Sequence, residues 1–285
     1  MTATTTQRLR SVLRRLRDAL RAGAWVWLSA LLTLASCQHI DESERFLFSP
    51  LESSSRAVLI EDFTGQRCIN CPNAAEEIER LKQQYGADTI IAVGIHAGPL
   101  AVYSRGSVLG LRTEEGDAYY DYWKVEQEPT GLINRKGSLS TIDQWPTLVR
   151  DAVQTPSELF FTLHATHGTG DSHIKIYLNI LSNNSVDGHI QLWLTESNIK
   201  ALQMMPDGTA NPDYIHNHVF RRTINGLWGE PYQSAQGERH DLEYECALDP
   251  AWKTENLSVV AFFYDSRGVQ CVAEAYVQEH DPFED

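Results

Sequence analysis

The chain has 285 residues, and its 38 acidic residues outnumber its 24 basic residues, giving a formal net charge of −14. Hydrophobic residues make up 42% of the chain, which is enough to bury a core and excludes a disordered or fibrous protein. The acidic balance excludes nucleic acid as the expected partner, because phosphate backbones select for clustered lysines and arginines.

The N-terminal segment has the pattern of a secretory signal. Residues 1–23 contain six arginines, and an apolar stretch over residues 24–36 ends at Cys37. This stretch is too short for a stable membrane span, which needs about 20 residues. Its last residues and Cys37, with the sequence LASC, resemble the lipobox of bacterial lipoproteins, in which the cysteine becomes the first residue and is acylated. We predict a signal peptide over residues 1–36 and lipidation, including palmitate, at Cys37; the alternative is an ordinary signal peptide with a chance cysteine.

Lipidation also accounts for the odd number of cysteines, since five cannot all pair within one chain. Removing residues 1–36 takes away six arginines and one aspartate and leaves a net charge of −19. Residues 37–56 lack any periodicity and predict a tether. Because Gln38 follows the predicted lipidated cysteine, we expect an outer-membrane protein held by its N-terminal lipid, facing the periplasm or the outside.

A CxxC pair, Cys68 and Cys71, follows the first predicted strand. Residues 57–63 form a short apolar run of the buried-strand type, and apolar residues recur at helical spacing after the pair. A cysteine at a helix N-terminus has its thiolate stabilised by unpaired N–H groups and by the helix dipole, which lowers its pKa. The second cysteine of such a pair can attack a mixed disulfide and release the partner.

Further elements follow in α/β order. Residues 89–95 predict a second strand, and residues 97–127, rich in tyrosine and glycine, predict an insertion with one or two short helices. Pro129 stands directly before a short predicted strand. A stripe of apolar residues over 141–153 predicts another helix, with a proline in its first turn.

These residues resemble the thioredoxin fold. Asp62 and the phenylalanine after it precede Cys68 at the spacing of the thioredoxin Asp-Phe pair, and Pro129 resembles the cis-proline that faces the cysteines. The resemblance implies an α/β thioredoxin-like domain over residues 57–155. It also implies that Cys68 is the attacking thiol, Cys71 the resolving thiol, Asp62 a buried proton acceptor and Pro129 a substrate-docking residue.

A CxxC pair can also be an inert structural disulfide or half of a zinc site. Zinc would need further ligands, and the other two cysteines of the body, Cys246 and Cys271, are far away in sequence. We therefore favour a redox pair over a structural disulfide, and either of them over a metal site. No cofactor is expected.

After Pro156 the hydrophobic period changes to two. About seven alternating strands separated by turn-rich spacers predict an all-β immunoglobulin-like sandwich over residues 156–285. Cys246 and Cys271 both fall on core-facing positions, and we predict a disulfide between them, with two buried free thiols as the alternative.

The chain has ten histidines, and those of this second segment raise the question of a metal site. His216 and His218 would share a strand face, whereas His164 and His167 would point to opposite faces. No third ligand stands at a suitable spacing, so histidines in loops or at the surface are the favoured interpretation.

Several motifs together resemble the lipoprotein family related to outer membrane protein 28. They are the lipobox, residues 61–72 with the CxxC pair, residues 113–119, residues 129–131, residues 214–222 and residues 225–230. The resemblance implies an outer-membrane lipoprotein with a thioredoxin-like domain and a β-sandwich.

The leading hypothesis is therefore a lipid-anchored thiol–disulfide exchange protein of the cell envelope with an envelope or surface protein as its partner. The alternative is a non-enzymatic surface lipoprotein, an adhesin or assembly component, whose CxxC pair only staples the fold. Its interface would be the aromatic residues of the insertion, since tyrosine and tryptophan are enriched at such sites. They are Tyr103, Tyr119, Tyr120, Tyr122 and Trp123.

Overall fold

The computed structural model describes residues 56–168 and 170–279, which form thirteen β-strands and three α-helices. The helices are α1 (Cys71–Tyr85), α2 (Glu114–Trp123) and α3 (Trp145–Val153). The first seven strands are β1 (Val58–Thr64), β2 (Ile90–His96), β3 (Thr130–Ile133), β4 (Leu159–Thr166), β5 (His173–Ser182), β6 (Val186–Glu196) and β7 (Ile199–Met204). The others are β8 (Ala210–His216), β9 (Val219–Thr223), β10 (Glu230–Ser234), β11 (Arg239–Ala247), β12 (Leu257–Asp265) and β13 (Gly268–Gln278). Short 3-10 turns lie at Ile142–Gln144 and Thr254–Asn256.

Eleven of the described strands form one mixed sheet. Its order is β11-β5-β4-β13-β12-β6-β9-β2-β1-β3, and β10 also pairs with β6. β1 lies parallel to β2 and antiparallel to β3. β2 in turn pairs with β9, where Gly94 lies opposite Val219. The strands β7 and β8 form a separate antiparallel hairpin.

The predicted fold class, an α/β thioredoxin-like domain followed by an all-β immunoglobulin-like sandwich, is wrong. Strands from both sides of residue 155 belong to the same mixed sheet, which β9 continues into β2. Hydrophobic period identifies a strand and its buried face, but it does not say which distant strand supplies the hydrogen-bonding edge. The two segments were therefore predicted as separate sheets.

The core between the two segments buries β1 and β2, of which β2 is almost continuously hydrophobic and β1 also carries Glu61 and Asp62. One face of β1, with Val58 and Ile60, packs with Leu81 of α1 and Trp145 of α3. The other face belongs to a cluster that combines residues from both segments, listed here by their main members: Leu59, Phe63, Val93, Tyr119, Trp193, Phe220, Val260 and Phe262. A strand that is covered on both faces has no solvent side, so polar alternation is lost.

The helices begin where local sequence signals place them. α1 and α3 each have a proline in the first turn. α1 is the helix predicted after the CxxC pair, and α3 is the helix predicted over residues 141–153. α2 begins after Thr113, whose side-chain oxygen accepts a hydrogen bond from the backbone N–H of Gly116 at 3.0 Å. None of the helices in the described ranges is long and apolar enough to cross a membrane. The predicted signal peptide, Cys37 and the tether up to residue 55 lie outside the described residues.

Candidate functional site

Cys68 and Cys71 form a disulfide at the start of α1. Cys71 is the first residue of the helix, and Cys68 lies in the preceding loop, whose backbone turns through a hydrogen bond from Cys68 N to the carbonyl of Gly65 at 3.0 Å. Both cysteines are buried, with exposures of 3% and 4%, whereas Ile69 between them is 44% exposed. The exposed residues of the loop are therefore Arg67, Ile69 and Asn70 rather than the two cysteines.

Two buried glutamines hold this loop in place. Gln203 of β7 donates from Nε2 to the carbonyl of Cys68 at 2.8 Å and to that of Gly65 at 3.4 Å. Gln66 accepts the backbone N–H of Leu111 at 3.0 Å and donates to the carbonyl of Leu202 at 3.2 Å. The CxxC loop is thus fixed by the insertion on one side and by the β7–β8 hairpin on the other.

Two buried carboxyl groups lie beside the disulfide. Glu128 has a carboxylate oxygen within 4.8 Å of both Cys68 and Cys71 sulfur atoms, and the peptide bond between Glu128 and Pro129 is cis. Asp62, in the middle of β1, borders the same cavity as Cys71. Oδ1 of Asp62 and both carboxylate oxygens of Glu128 are buried without a hydrogen-bond partner.

Burial sets the protonation of both carboxyl groups. It raises the pKa of Asp62 to about 8, and the nearby Glu128 charge acts in the same direction. Burial also raises the pKa of Glu128 to about 7, against the lowering effect of Arg112. Arg112 makes its own ion pair with Asp117 at 2.8 Å. Asp62 is consequently neutral at pH 7 and carries a proton next to the disulfide.

A cavity of about 400 Å³ opens beside Cys71, between α1, the sheet and the β7–β8 hairpin. Three histidines line it: His96, His216 and His218. The His96 and His216 rings lie 5.3 Å apart, and burial lowers the pKa of His96 well below its usual value and that of His216 to about 4. The pKa of His218 is lowered to about 3 by burial and by Lys82, whose Nζ is 2.6 Å from Nε2. These rings are neutral at pH 7.

The predicted pairing of His216 with His218 on one strand face does not occur. His216 ends β8, whereas His218 lies beyond it with a positive φ of 55°, which turns the chain. His96, from β2, is the ring that meets His216. Sequence spacing did not indicate this contact, because the two residues are 120 positions apart.

Cys246 and Cys271 are free, buried thiols rather than the predicted disulfide. They lie on β11 and β13, which are separated in the sheet by β5 and β4. Different groups surround the two thiols: Arg222 and Glu115 act on Cys246, whereas Ser157 and Arg56 act on Cys271. Burial raises the pKa of both thiols.

The aromatic residues of the insertion divide into core and surface. Tyr119 is fully buried, and its hydroxyl accepts a hydrogen bond from Trp193 Nε1 at 3.0 Å and donates to the carbonyl of Leu227. Tyr122 is 61% exposed, and Tyr103 is 48% exposed. Of this group, Tyr103 and Tyr122 are therefore exposed enough to form an interface with a partner, whereas Tyr119 is not.

Three residues that shape the site, Glu128, Gln66 and Gln203, are not predicted by the sequence. One feature of the sequence does indicate that Glu128 lies near the cysteines: it directly precedes Pro129, which is expected to face them. No such feature indicates Gln203, because it is 135 residues from Cys68 and its role depends on the hairpin folding back.

Comparison with solved structures shows that the fold occurs elsewhere. The chain is similar to HBP35 of Porphyromonas gingivalis, with a TM-score of 0.64 at 15% sequence identity, covering 82% of this chain and 79% of that chain. It also matches a domain of the outer membrane lipoprotein Omp28 from Porphyromonas gingivalis at 22% identity and a TM-score of 0.31, over 43% of this chain and 97% of that one. No curated protein matches the sequence.

Comparison with protein families then identifies the class to which the protein belongs. The family described as outer membrane protein Omp28 matches residues 116–281, which is more than half of the chain. The chain belongs to this family, as the sequence motifs predicted. Membership confirms the predicted location at the outer membrane.

Proposed function

We propose that this outer membrane protein exchanges disulfides with partner thiols through Cys68 and Cys71. The observation that carries the proposal is the position of the pair. The disulfide begins α1, borders an open cavity at Cys71 and has the Glu128 carboxyl group within 4.8 Å of both sulfurs. A helix N-terminus favours a thiolate, because its first N–H groups have no intrahelical partners.

Starting from the disulfide, the exchange has two steps. A thiolate of a partner dithiol attacks Cys68 Sγ, the bond to Cys71 breaks, and Cys71 leaves as a thiolate that takes up a proton from the Asp62 carboxyl group. The second partner thiolate then attacks the mixed disulfide and releases Cys68. The partner ends as a disulfide, and Cys68 and Cys71 have gained its two electrons.

The surface of the loop supports docking of a partner segment. Arg67, Ile69 and Asn70 are exposed around the buried sulfurs. An exposed isoleucine flanked by polar groups offers an apolar contact to an extended chain. Because Cys68 is only 3% exposed, we expect the partner to open the loop as it attacks.

The test is a redox titration of the purified protein in glutathione buffers of graded poise, with free thiols counted by alkylation and mass. An exchanging pair passes from disulfide to dithiol within the glutathione range, and Cys71→Ser accumulates a mixed disulfide at Cys68. Cys246→Ser is the matched control, since it removes a buried thiol outside the pair. A pair that stays oxidised at strongly reducing poise, with no adduct at Cys68, rules out exchange.

A second candidate function rests on the burial of both cysteines. A disulfide with 3% and 4% exposure is suited to stapling the loop, and the exposed Tyr103 and Tyr122 would then serve an adhesin or assembly interface. The variant Cys68→Ser distinguishes the two functions. Binding to envelope or surface proteins that survives in this variant, together with no exchange in the wild type, favours the non-enzymatic role.

A further inference from the structure

Cys68, Cys71 and Glu128 bring three potential metal ligands into one place. Their sulfur and carboxylate atoms all lie within 4.8 Å of one another, and no other trio of His, Cys, Asp or Glu in the described part of the chain meets that distance. We propose that the reduced pair and Glu128 form a site for one Zn²⁺ ion. The disulfide form would not bind the ion, so the site would be open only in the reduced protein.

The donor set selects the class of metal. Two thiolates and one carboxylate suit Zn²⁺, which takes sulfur, nitrogen and oxygen ligands in tetrahedral geometry with the fourth position left for water. Around such an ion, ligand atoms lie about 3.5 to 3.8 Å apart, given Zn–S distances of about 2.3 Å and Zn–O distances of about 2.0 Å. The Glu128 oxygen, within 4.8 Å of both sulfurs, must therefore move closer by up to about 1.3 Å, and the two sulfurs must move apart after reduction. Ca²⁺ and Mg²⁺ prefer oxygen ligands alone and are not expected to bind.

The Glu128 side chain has no hydrogen-bond partner among the described residues. Both of its carboxylate oxygens are buried. Arg112, the cation that lowers its pKa, is held by Asp117 in an ion pair of 2.8 Å. A buried polar group without a partner is costly, and an ion bound between Glu128 and the two sulfurs would satisfy it.

Reduction creates the site. Two molecules of a thiol reductant transfer two electrons and two protons to Cys68 and Cys71 and become a disulfide. Binding of Zn²⁺ then releases the two thiol protons. Cys71 borders the cavity of about 400 Å³, which gives the ion a path to the sulfur atoms. This proposal requires a reducible pair and does not require exchange with a protein partner.

The experiment uses the full chain, reduced with a phosphine that is then removed without air, and titrated with Co²⁺ as a spectroscopic probe. We expect one Co²⁺ per chain, with sulfur-to-cobalt charge-transfer absorption and the visible bands of tetrahedral Co²⁺, displaced by one equivalent of Zn²⁺. The oxidised protein should show none of these signals. Failure of the reduced protein to bind Co²⁺, or failure of the pair to become reduced while the protein stays folded, overturns the proposal.

The variants distinguish metal binding by the Glu128 carboxylate from a general effect of negative charge on Co²⁺ affinity. Glu128→Gln should weaken Co²⁺ affinity about tenfold or more, while Glu126→Gln, which removes an exposed acid two residues away, should leave it unchanged. Glu128→Asp keeps the carboxylate and should retain binding, which covers the case in which Glu128→Gln fails to fold. The double variant Cys246→Ala/Cys271→Ala should bind like the wild type. Equal affinity in Glu128→Gln and the wild type overturns the role of Glu128. The redox titration without metal tests exchange separately.

Discussion

Glu61 and Arg135 form a buried ion pair, with 2.7 Å between Arg135 Nε and Glu61 Oε1, in the middle of the contact between the two halves of the chain. Glu61 lies on β1, and Arg135 follows β3. The guanidinium also lies 4.8 Å from the ring centroids of Phe262 and Tyr264 on β12. One charged pair thus connects the strand before the CxxC loop with the sheet of the second half.

Arg135→Ala should destabilise the protein by about 3 to 5 kcal/mol, because it leaves the Glu61 carboxylate buried without its partner. The measurement is urea unfolding followed by fluorescence. Arg150→Ala, which removes an exposed arginine paired with Asp151, is the control and should leave the midpoint unchanged. Equal midpoints for the two variants would show that the buried pair does not hold the halves together.

Stability should depend on pH through Asp62. Its pKa of about 8 in the folded protein lies above the ordinary value of 3.8, so between these pH values the folded protein holds a proton that the unfolded chain has released. Asp62 therefore contributes a fall in the free energy of unfolding as the pH rises from about 4 to about 8, whereas the lowered pKa values of His96, His216 and His218 contribute a rise below about pH 6.5. Asp62→Asn removes the first contribution, so its free energy of unfolding should fall less, or rise more, than that of the wild type over this range, by up to a few kcal/mol.

The measurement is urea unfolding at pH 5 and pH 8 for the wild type and Asp62→Asn. Asp187→Asn, which changes an exposed aspartate on β6, is the matched control and should follow the wild type. The same change in the free energy of unfolding in all three proteins would show that Asp62 does not hold its proton in the folded state.

Gln203→Ala should loosen the CxxC loop. The carbonyl of Cys68 would lose its 2.8 Å hydrogen bond inside the protein, which costs about 1 to 3 kcal/mol. If opening of the loop limits access to the buried sulfurs, reduction of the disulfide by dithiothreitol should become about tenfold faster. Gln233→Ala, at an exposed position on β10, should reduce at the wild-type rate. An unchanged rate of reduction in Gln203→Ala would mean that the β7–β8 hairpin does not limit access to the disulfide.

Gly65→Ala should destabilise the protein more than Gly94→Ala does, because it disturbs the start of the CxxC loop. A Cβ at residue 65 would lie 2.5 Å from the backbone carbon of Leu100 and 2.8 Å from the nitrogen of Ala101, so the backbone must move. We expect the free energy of unfolding measured in urea to fall by about 1 to 3 kcal/mol. At Gly94 the nearest atoms would be 3.8 Å away, and Gly94→Ala should be tolerated. A stable Gly65→Ala would show that the insertion can shift freely.

Cys246 and Cys271 should resist thiol reagents in the native protein and react after unfolding without any reductant. Both are buried, and burial raises the pKa of both thiols, so the reactive thiolate is scarce. Alkylation followed by peptide mass analysis should find both residues modified in denaturant and neither in buffer. A peptide in which the two are linked would instead support the disulfide that the sequence predicted.

Local features of the protein followed from the sequence. The strand before the CxxC pair, the helix at the pair and the proline in the first turn of α3 depend on neighbouring residues, and the structure has all three. The helix begins at Cys71, however, and not at Cys68, which the sequence had predicted at the helix N-terminus. The family followed from a combination of motifs, and residues 116–281 match it. Such signals are short in range, so a single sequence carries them completely.

The tertiary structure alone decided how these elements assemble. The β2–β9 pairing at Gly94, which merges two predicted domains into one sheet, is made by backbone groups that every residue shares. The same long-range folding brings Gln203 to the Cys68 carbonyl and Glu128 to both sulfurs. It also places β5 and β4 between the strands that carry Cys246 and Cys271. The sequence determined which chemistry the chain carries, and the strand order determined which of those groups meet, because contact across the sheet leaves no periodic pattern along the chain.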